Sequence, residues 1–516
     1  MVYKIFTGKV GGVFADLITV EVDASSGLPG LEIIGLPGSE VKEAKDRVRV
    51  ALKNSGISIP SMKVVINLSP ADEHKIGAGF DLPIAAALLG VFGHINEFNP
   101  ENTLIIGALS LDGDICAVRG VLPIVRMAKE SGFKRVILPK ANALEGVMIK
   151  DIDIIPVSNL MELISYLALN EEFKNAAIAP FESDEANSII ESNESELSFD
   201  DVYGQDNVKR AAALAASGFH HLLITGPPGT GKSLIAKRIP GIMPPLTYEE
   251  CLEVTTIHSV AGRLDEDKPF INKRPFFSPH HGASSQALIG GGSLAKPGLV
   301  SLCHRGILFL DEMPEFKRET LDMLRQPLED GIITVSRAKN TYTYPANFML
   351  VGAMNPCPCG YFPDRSRCSC TEPQIARYLS KISGPVLDRI DITVEAQRMD
   401  IKSVKKTGAP EMSGLEIKER VRDAVLRQKK RFEHENFKFN SFIPSSKMDE
   451  YVKLGKSEQD LSFSMYDSMK LSMRSFYKIM RVARTIADFS DSETVTVKHL
   501  SEACCYRFPN YFGGLQ

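Results

Sequence analysis

The sequence predicts an α/β protein made of two mixed α/β modules in series, followed by a helical C-terminal region. Three observations predict it. Apolar strand-like runs alternate with helix-periodic ones twice along the chain. An acidic segment poor in large apolar residues separates the two series. The second series opens with a glycine-rich loop set between an apolar strand and a helix.

A chain of 516 residues is long enough to bury several separate cores. Sixty Lys and Arg against 64 Asp and Glu leave a formal charge of −4. There is thus no global field to attract nucleic acid, and any such surface has to be local. The opening stretch MVYKIFTGKVGGVFADLITVEVD mixes polar and apolar residues and lacks the pattern of a secretory leader. No run stays apolar over the roughly 18 residues of a membrane span. The expectation is a cytoplasmic protein with no membrane partner, and in a reducing compartment closely spaced cysteines favour metal ligation or catalysis over disulfides.

In order along the chain, strand-like runs at 63–68, 104–109, 135–138 and 152–157 alternate with helical ones at 41–55, 82–92 and 122–131. These define a first α/β domain over 1–168. Residues 169–201 read as an acidic linker, because FESDEANSIIESNESELSFDD carries many acids and neither Lys nor Arg. The second α/β domain spans 202–396, and the helical remainder spans 397–516. That remainder contains the basic run RVRDAVLRQKKRF and a periodic segment over 469–489.

The second domain carries the chemistry. In HHLLITGPPGTGKSLIAKRI the strand 221–225 leads into Gly226, Pro227, Pro228, Gly229, Thr230, Gly231, Lys232 and Ser233, the spacing G-x-x-x-x-G-K-S, and then into a helix. Such glycines let backbone N–H groups turn inward around phosphate. Lys232 then reaches the β- and γ-phosphates of ATP, and Ser233 holds Mg²⁺. GILFLDEMPEF supplies a second strand, 307–310, ending in adjacent acids. Asp311 is suited to bind the metal, and Glu312 to orient and deprotonate the attacking water. A third buried strand in FMLVGAMNP ends at Asn355, a polar group suited to position that water.

Two further features stand apart from the phosphate loop. IITVSRAKNTYTYPANF alternates strand residues around a turn and reads as a hairpin with Arg337 and Lys339 at its tip. Point charges there would grip a DNA backbone without reading bases, although exposed cations are ordinarily just solvated. NPCPCGYFPDRSRCSC gathers four of the nine cysteines, Cys357, Cys359, Cys368 and Cys370, as C-x-C-x₈-C-x-C. They are enough soft ligands for one tetrahedral structural Zn²⁺. Reduced free thiols and a redox switch are the alternatives.

GPPGTGKS, LFLDE, GAMNP and SGPVLDRIDI in this order resemble an AAA+ ATPase of the magnesium-chelatase-like branch. GQDNVKRAA, RPFFSPHHGASSQALIGGG and RVARTIADF narrow the resemblance to the ComM/YifB family, over nearly the whole chain. The resemblance implies a P-loop AAA+ ATPase domain with a helical C-terminal lid, and a homo-oligomeric, hexameric ring. It also implies a DNA-stimulated ATPase, and in transformable bacteria a branch-migration helicase. By motif, Arg389 in LDRID resembles the arginine finger offered to a neighbouring subunit, and Arg474 resembles the sensor-2 arginine. Residues 278–304 resemble the insert that this branch projects toward a central pore. The first domain resembles Lon-protease domains, a ribosomal-S5-like fold. Its AGFDLP segment has no serine and its RGVLPI segment no lysine, so a non-proteolytic module is expected. A magnesium-chelatase motor subunit and a protein-remodelling ATPase are the competing readings.

Overall fold

The computed structural model describes residues 2–95, 100–169, 198–292, 295–336, 341–398 and 412–507. The first series forms one seven-stranded sheet. Its strands are β1 (Tyr3–Gly11), β2 (Phe14–Ser25), β3 (Gly30–Ile34), β4 (Lys63–Ser69), β5 (Thr103–Ile105), β6 (Arg135–Pro139) and β7 (Asp153–Val157), in the order β3-β4-β2-β1-β5-β6-β7. The β1–β2 hairpin precedes the first strand expected from sequence. Only alternate residues of β2, Ile18, Val20 and Val22, are buried, so its apolar signal is diluted by an open face. Helices Ser39–Asn54, Asp81–Val91 and Val121–Glu130 fall where periodicity set them. The second of these is buried on all sides, and its first-turn Asp81 is neutralised by Arg47 through two 2.9 Å hydrogen bonds. Nearby Lys75 is buried and donates to the Pro70 carbonyl. Lys75 and Asp81 thus bond to different partners.

The second series forms a five-stranded parallel sheet from β8 (Leu222–Thr225), β9 (Phe276–Phe277), β10 (Ile307–Leu310), β13 (Met349–Met354) and β14 (Ile392–Glu395), in the order β9-β10-β13-β8-β14. A separate antiparallel hairpin consists of β11 (Ile332–Ser336) and β12 (Thr341–Pro345). Residues of β8, β10 and β13 are buried on both faces, which is why they read as unbroken apolar runs. Their side chains divide by parity. Ile224, Phe309 and Val351 join a core with Ile479, Val482 and Ile486 of the C-terminal region. Leu223, Leu310 and Leu350 join a core with Cys357, Ile375 and Tyr378. The helical region therefore covers one face of the sheet, and the cysteine segment covers the other.

The main helices of the C-terminal region are Gly414–Arg431, Lys456–Ser468, Met473–Phe489 and Val497–Cys505. Fully buried Asp488 organises it, accepting from Arg431, from Arg484 at 2.8 Å and from Asn440 at 2.8 Å. Arg427, in the basic run, bonds the Asp488 carbonyl and pairs with Asp491. Two arginines of that run thus hold helices together and are not free for a ligand. The first module docks on the second through buried Glu145, which accepts from Ser259 and from the Leu122 amide. Tyr248 donates to the Met148 carbonyl across the same junction. No helix among the described residues is long and apolar enough to cross a membrane.

Candidate functional site

Strand register creates the site. β8 and β13 run parallel with Thr225 opposite Met354, so the next residues, Gly226 and Asn355, emerge side by side. β10 pairs with β13 through Leu310 and Gly352, which brings Asp311 to the same sheet edge. Three chain crossings of a parallel sheet thus deliver their polar ends to one place, as open α/β sheets do at their carboxyl edge.

The phosphate loop lies between Thr225 and the helix beginning at Lys232. Gly226 has φ 152°, and a side chain there would strike the Ala396 carbonyl oxygen. Gly229 and Gly231 have φ 77° and 85°, with open space where a Cβ would stand. Thr230 Oγ1 closes the turn by donating to the Pro227 carbonyl at 2.9 Å. The result is a cavity of about 240 Å³ lined by residues 228–234, Asp311, Glu312, Met354 and Asn355.

Within it, Lys232 Nζ donates to the Gly226 and Pro227 carbonyls, each at 2.8 Å, and to Asn355 Oδ1 at 3.1 Å. Burial lowers the Lys232 ammonium below the ordinary lysine value, while Asp311 and Glu312 push it back up. Ser233 Oγ donates to Asp311 Oδ2 at 2.7 Å, so a hydroxyl and a carboxylate meet as a hard-oxygen pair suited to Mg²⁺. Glu312 adopts φ 49°, and its amide donates to Asp311 Oδ1 at 3.0 Å. An open glycine cradle, one buried ammonium and an oxygen pair fit a magnesium-bound polyphosphate, whose phosphoanhydride supplies the reactive bond. The five polar residues singled out in the sequence are brought together here.

One neighbour was not singled out in the sequence. Gln205, in GQDNVKR, has φ 62°; its Nε2 donates to the Thr230 carbonyl at 3.3 Å and to the Gln397 carbonyl at 2.5 Å. It ties the phosphate loop to the exit of β14. A Gly-Gln turn ahead of a helix is the only local signal, and it does not say what the amide reaches.

The four cysteines also converge. Their Sγ atoms all lie within 4.8 Å of one another, with 3.4 Å between Cys357 and Cys359, 3.7 Å between Cys357 and Cys368, and 3.6 Å between Cys359 and Cys368. Four thiolates about 2.3 Å from a tetrahedral zinc stand about 3.8 Å apart, so the donor set fits that ion. None of the four is in a disulfide. Burial raises the Cys359 thiol, but the Tyr361 amide and the neighbouring thiols outweigh it and bring it to about 6, whereas burial and the same neighbouring thiols raise the Cys368 thiol. The Phe362 amide donates to Cys357 Sγ at 3.4 Å. The cluster abuts the phosphate loop: a Cβ on Gly360 would stand 2.6 Å from Pro228 Cδ.

Arg389 and Arg474 do not line the phosphate cavity of their own chain. They meet elsewhere, at Glu329, in a separate cavity of about 630 Å³. Arg337 and Lys339 lie outside the described residues; β11 and β12 pair from Ile332↔Pro345 to Ser336↔Thr341 on either side of them.

Comparison with known proteins agrees with this architecture. The family described as "Magnesium chelatase, subunit ChlI" matches residues 198–404, "Subunit ChlI of Mg-chelatase" matches 20–142, and "Magnesium chelatase, subunit ChlI C-terminal" matches 411–507. YifB of Escherichia coli (strain K12) is 40% identical over 496 residues, covering 96% of this chain and 95% of the relative. "Competence protein ComM" of Haemophilus influenzae is 37% identical over 498 residues, covering 96% and 95%. The "Magnesium-chelatase 67 kDa subunit" of Heliobacterium mobile is 28% identical over 185 residues, covering only 30% and 27%. With 37–40% identity to YifB and ComM over 96% of its length, and the phosphate loop, acidic pair and asparagine gathered at one sheet edge, the chain belongs to the ComM/YifB family of magnesium-chelatase-like AAA+ ATPases.

Proposed function

We propose that this protein is an ATP-hydrolysing ring motor that acts on DNA. The observation that carries the reading is the convergence of Lys232, Ser233, Asp311, Glu312 and Asn355 on one cavity. In this reading residues 226–233 bind the phosphates of ATP. Lys232 neutralises the β- and γ-phosphates, and Ser233 and Asp311 hold Mg²⁺. Asn355, hydrogen-bonded to Lys232, orients the attacking water, and Glu312 takes its proton. Arg389 and Arg474 act on the nucleotide of the next subunit, which requires a closed ring, taken as a hexamer.

The DNA role is that of a DNA-stimulated helicase driving branch migration in recombination or natural transformation. A relative named for competence supports it. Arg337 and Lys339 are its proposed contacts, with residues 278–304 facing the pore. The magnesium-chelatase relative resembles only part of this chain, which weighs against a chelatase motor. We read residues 1–168 as a Lon-like, non-proteolytic module, 169–201 as a linker, 202–396 as the motor and 397–516 as its lid, in a cytoplasmic protein. Residues 76–80 and 117–119 of the first module line one cavity of about 610 Å³; among the described residues its walls contain Lys9, His74 and Lys296 but no serine, which supports the reading of a lost protease dyad. The cysteine cluster holds a structural zinc.

The test is the ATPase rate with and without single-stranded or forked DNA. Stimulation is expected, and it should weaken in Arg337→Ala plus Lys339→Ala while the basal rate stays. A rate indifferent to every DNA tested would favour protein remodelling, and equal stimulation of wild type and double variant would remove the hairpin from the DNA path.

A further inference from the structure

Arg389 and Arg474 come from separate elements. Arg389 follows the short helix Gly384–Leu387, and Arg474 sits in the first turn of Met473–Phe489. A third element joins them. Glu329, near the end of the helix Arg325–Asp330, accepts from Arg474 Nη2 through Oε1 at 2.6 Å and from Arg389 Nη2 through Oε2. Each carboxylate oxygen therefore holds one guanidinium. Arg389 Nη1 donates to the Pro385 carbonyl at 2.6 Å, and Arg474 Nη1 stands 3.9 Å from Asp388 Oδ2. Arg389 Nε finds no acceptor among the described residues. The surrounding cavity also takes in Lys478 and Arg481, so four cations face Glu329, Asp388 and Asp391.

Two guanidinium groups repel each other unless an anion lies between them. With no carboxylate at 329 they would separate, and Arg474, about half exposed, would sample many rotamers. We propose that Glu329 is a positioning residue for the trans-acting arginines: one carboxylate fixes the spacing of Arg389 and Arg474 so that both address the same phosphate of a neighbouring subunit. This rests on the ring reading above. Glu329 is itself about half exposed, so its replacement removes the bridge without opening a core.

The experiment uses the full chain and steady-state ATP hydrolysis. Glu329→Gln keeps the shape and removes the charge; kcat should fall about 10- to 100-fold, as for a misplaced catalytic group, with KM within about twofold. Glu329→Asp, which keeps the charge, should retain more activity than Glu329→Gln. Mixing then tests the direction of action. Lys232→Ala chains have a dead phosphate site but intact arginines, so adding them to Glu329→Gln chains should raise the rate above that of either alone. Arg389→Ala mixed with Lys232→Ala is the control. If that control pair gains nothing, the ring reading fails and this inference with it. If it gains while Glu329→Gln mixed with Lys232→Ala does not, Glu329 has no role in trans and the inference alone is overturned. Wild-type or higher kcat in Glu329→Gln would overturn it as well.

Discussion

Replacing Gly360 by alanine should cripple ATP turnover from within the cysteine loop. Gly360 has φ 85°, and a Cβ there would stand 2.6 Å from Pro228 Cδ and 3.4 Å from Cγ. Carbon atoms pack at about 3.5–4.0 Å, so one of the two loops has to yield by about 1 Å. The backbone contributes a separate cost: an L-residue in the left-handed region loses about 1–2 kcal/mol. Pro228 belongs to the wall of the phosphate cavity. Displacing a positioning element by about 1 Å costs about 100-fold in rate, equivalent to about 2.7 kcal/mol of transition-state stabilisation. Gly132 provides the control, because its φ is also 85° and nothing lies within 4 Å of its Cβ position. Gly132→Ala should therefore lose about 1–2 kcal/mol of stability and hydrolyse ATP like the wild type. Urea titrations give the stabilities, and steady-state hydrolysis gives kcat/KM. Wild-type kcat/KM in Gly360→Ala would refute the coupling between cysteine loop and phosphate loop.

Three further outcomes are expected. Glu312→Gln should bind a fluorescent ATP analogue with near wild-type affinity but lose most turnover, since it removes a proton acceptor and leaves the Ser233–Asp311 pair intact. Elemental analysis should find one zinc per chain, and a chelator should lower Tm; metal-free protein with unchanged Tm would leave the four cysteines as plain thiols. Glu253 is raised by burial, but hydrogen bonds from His304 and Arg305 win and bring it from 4.5 to about 2. A depressed carboxyl stabilises the fold above its unfolded pKa and loses that contribution as pH falls through the folded one. The stability gap between wild type and Glu253→Gln should accordingly open as pH rises from about 2 to 4.5 in urea melts, and a gap independent of pH would break the assignment.

Much of the nucleotide site was legible in sequence because its parts are local. A strand, a glycine loop and a helix follow one another over residues 222–236, so spacing alone identifies the phosphate loop. The acids at 311 and 312 and Asn355 were found because each ends an apolar run, and parallel strands deliver such ends to the same edge. The β1–β2 hairpin was not legible, because its solvent-facing residues break the apolar pattern. The role of the basic run was not legible either, for a different reason. Its charge is plain in sequence, but the partners that neutralise Arg427 and Arg431 lie far along the chain, Asp491 in the turn after the helix Met473–Phe489 and Asp488 near that helix's end.

By itself the sequence pointed to the kind of chemistry: residue types at fixed short spacing mark a glycine-rich phosphate-loop motif, a serine and an acid of the kind that suit magnesium, and a cluster of four soft-ligand cysteines. Tertiary structure alone decided which distant groups act on one another. Nothing in RQPLEDG marks Glu329 as the common partner of Arg389 and Arg474, and nothing in CPCGYF says that Gly360 rests against Pro228. The physical reason is the range of the interactions. Backbone conformation and short motifs are set by neighbours in the chain, whereas a shared carboxylate or a van der Waals contact is set by how whole elements pack, which no local spacing records.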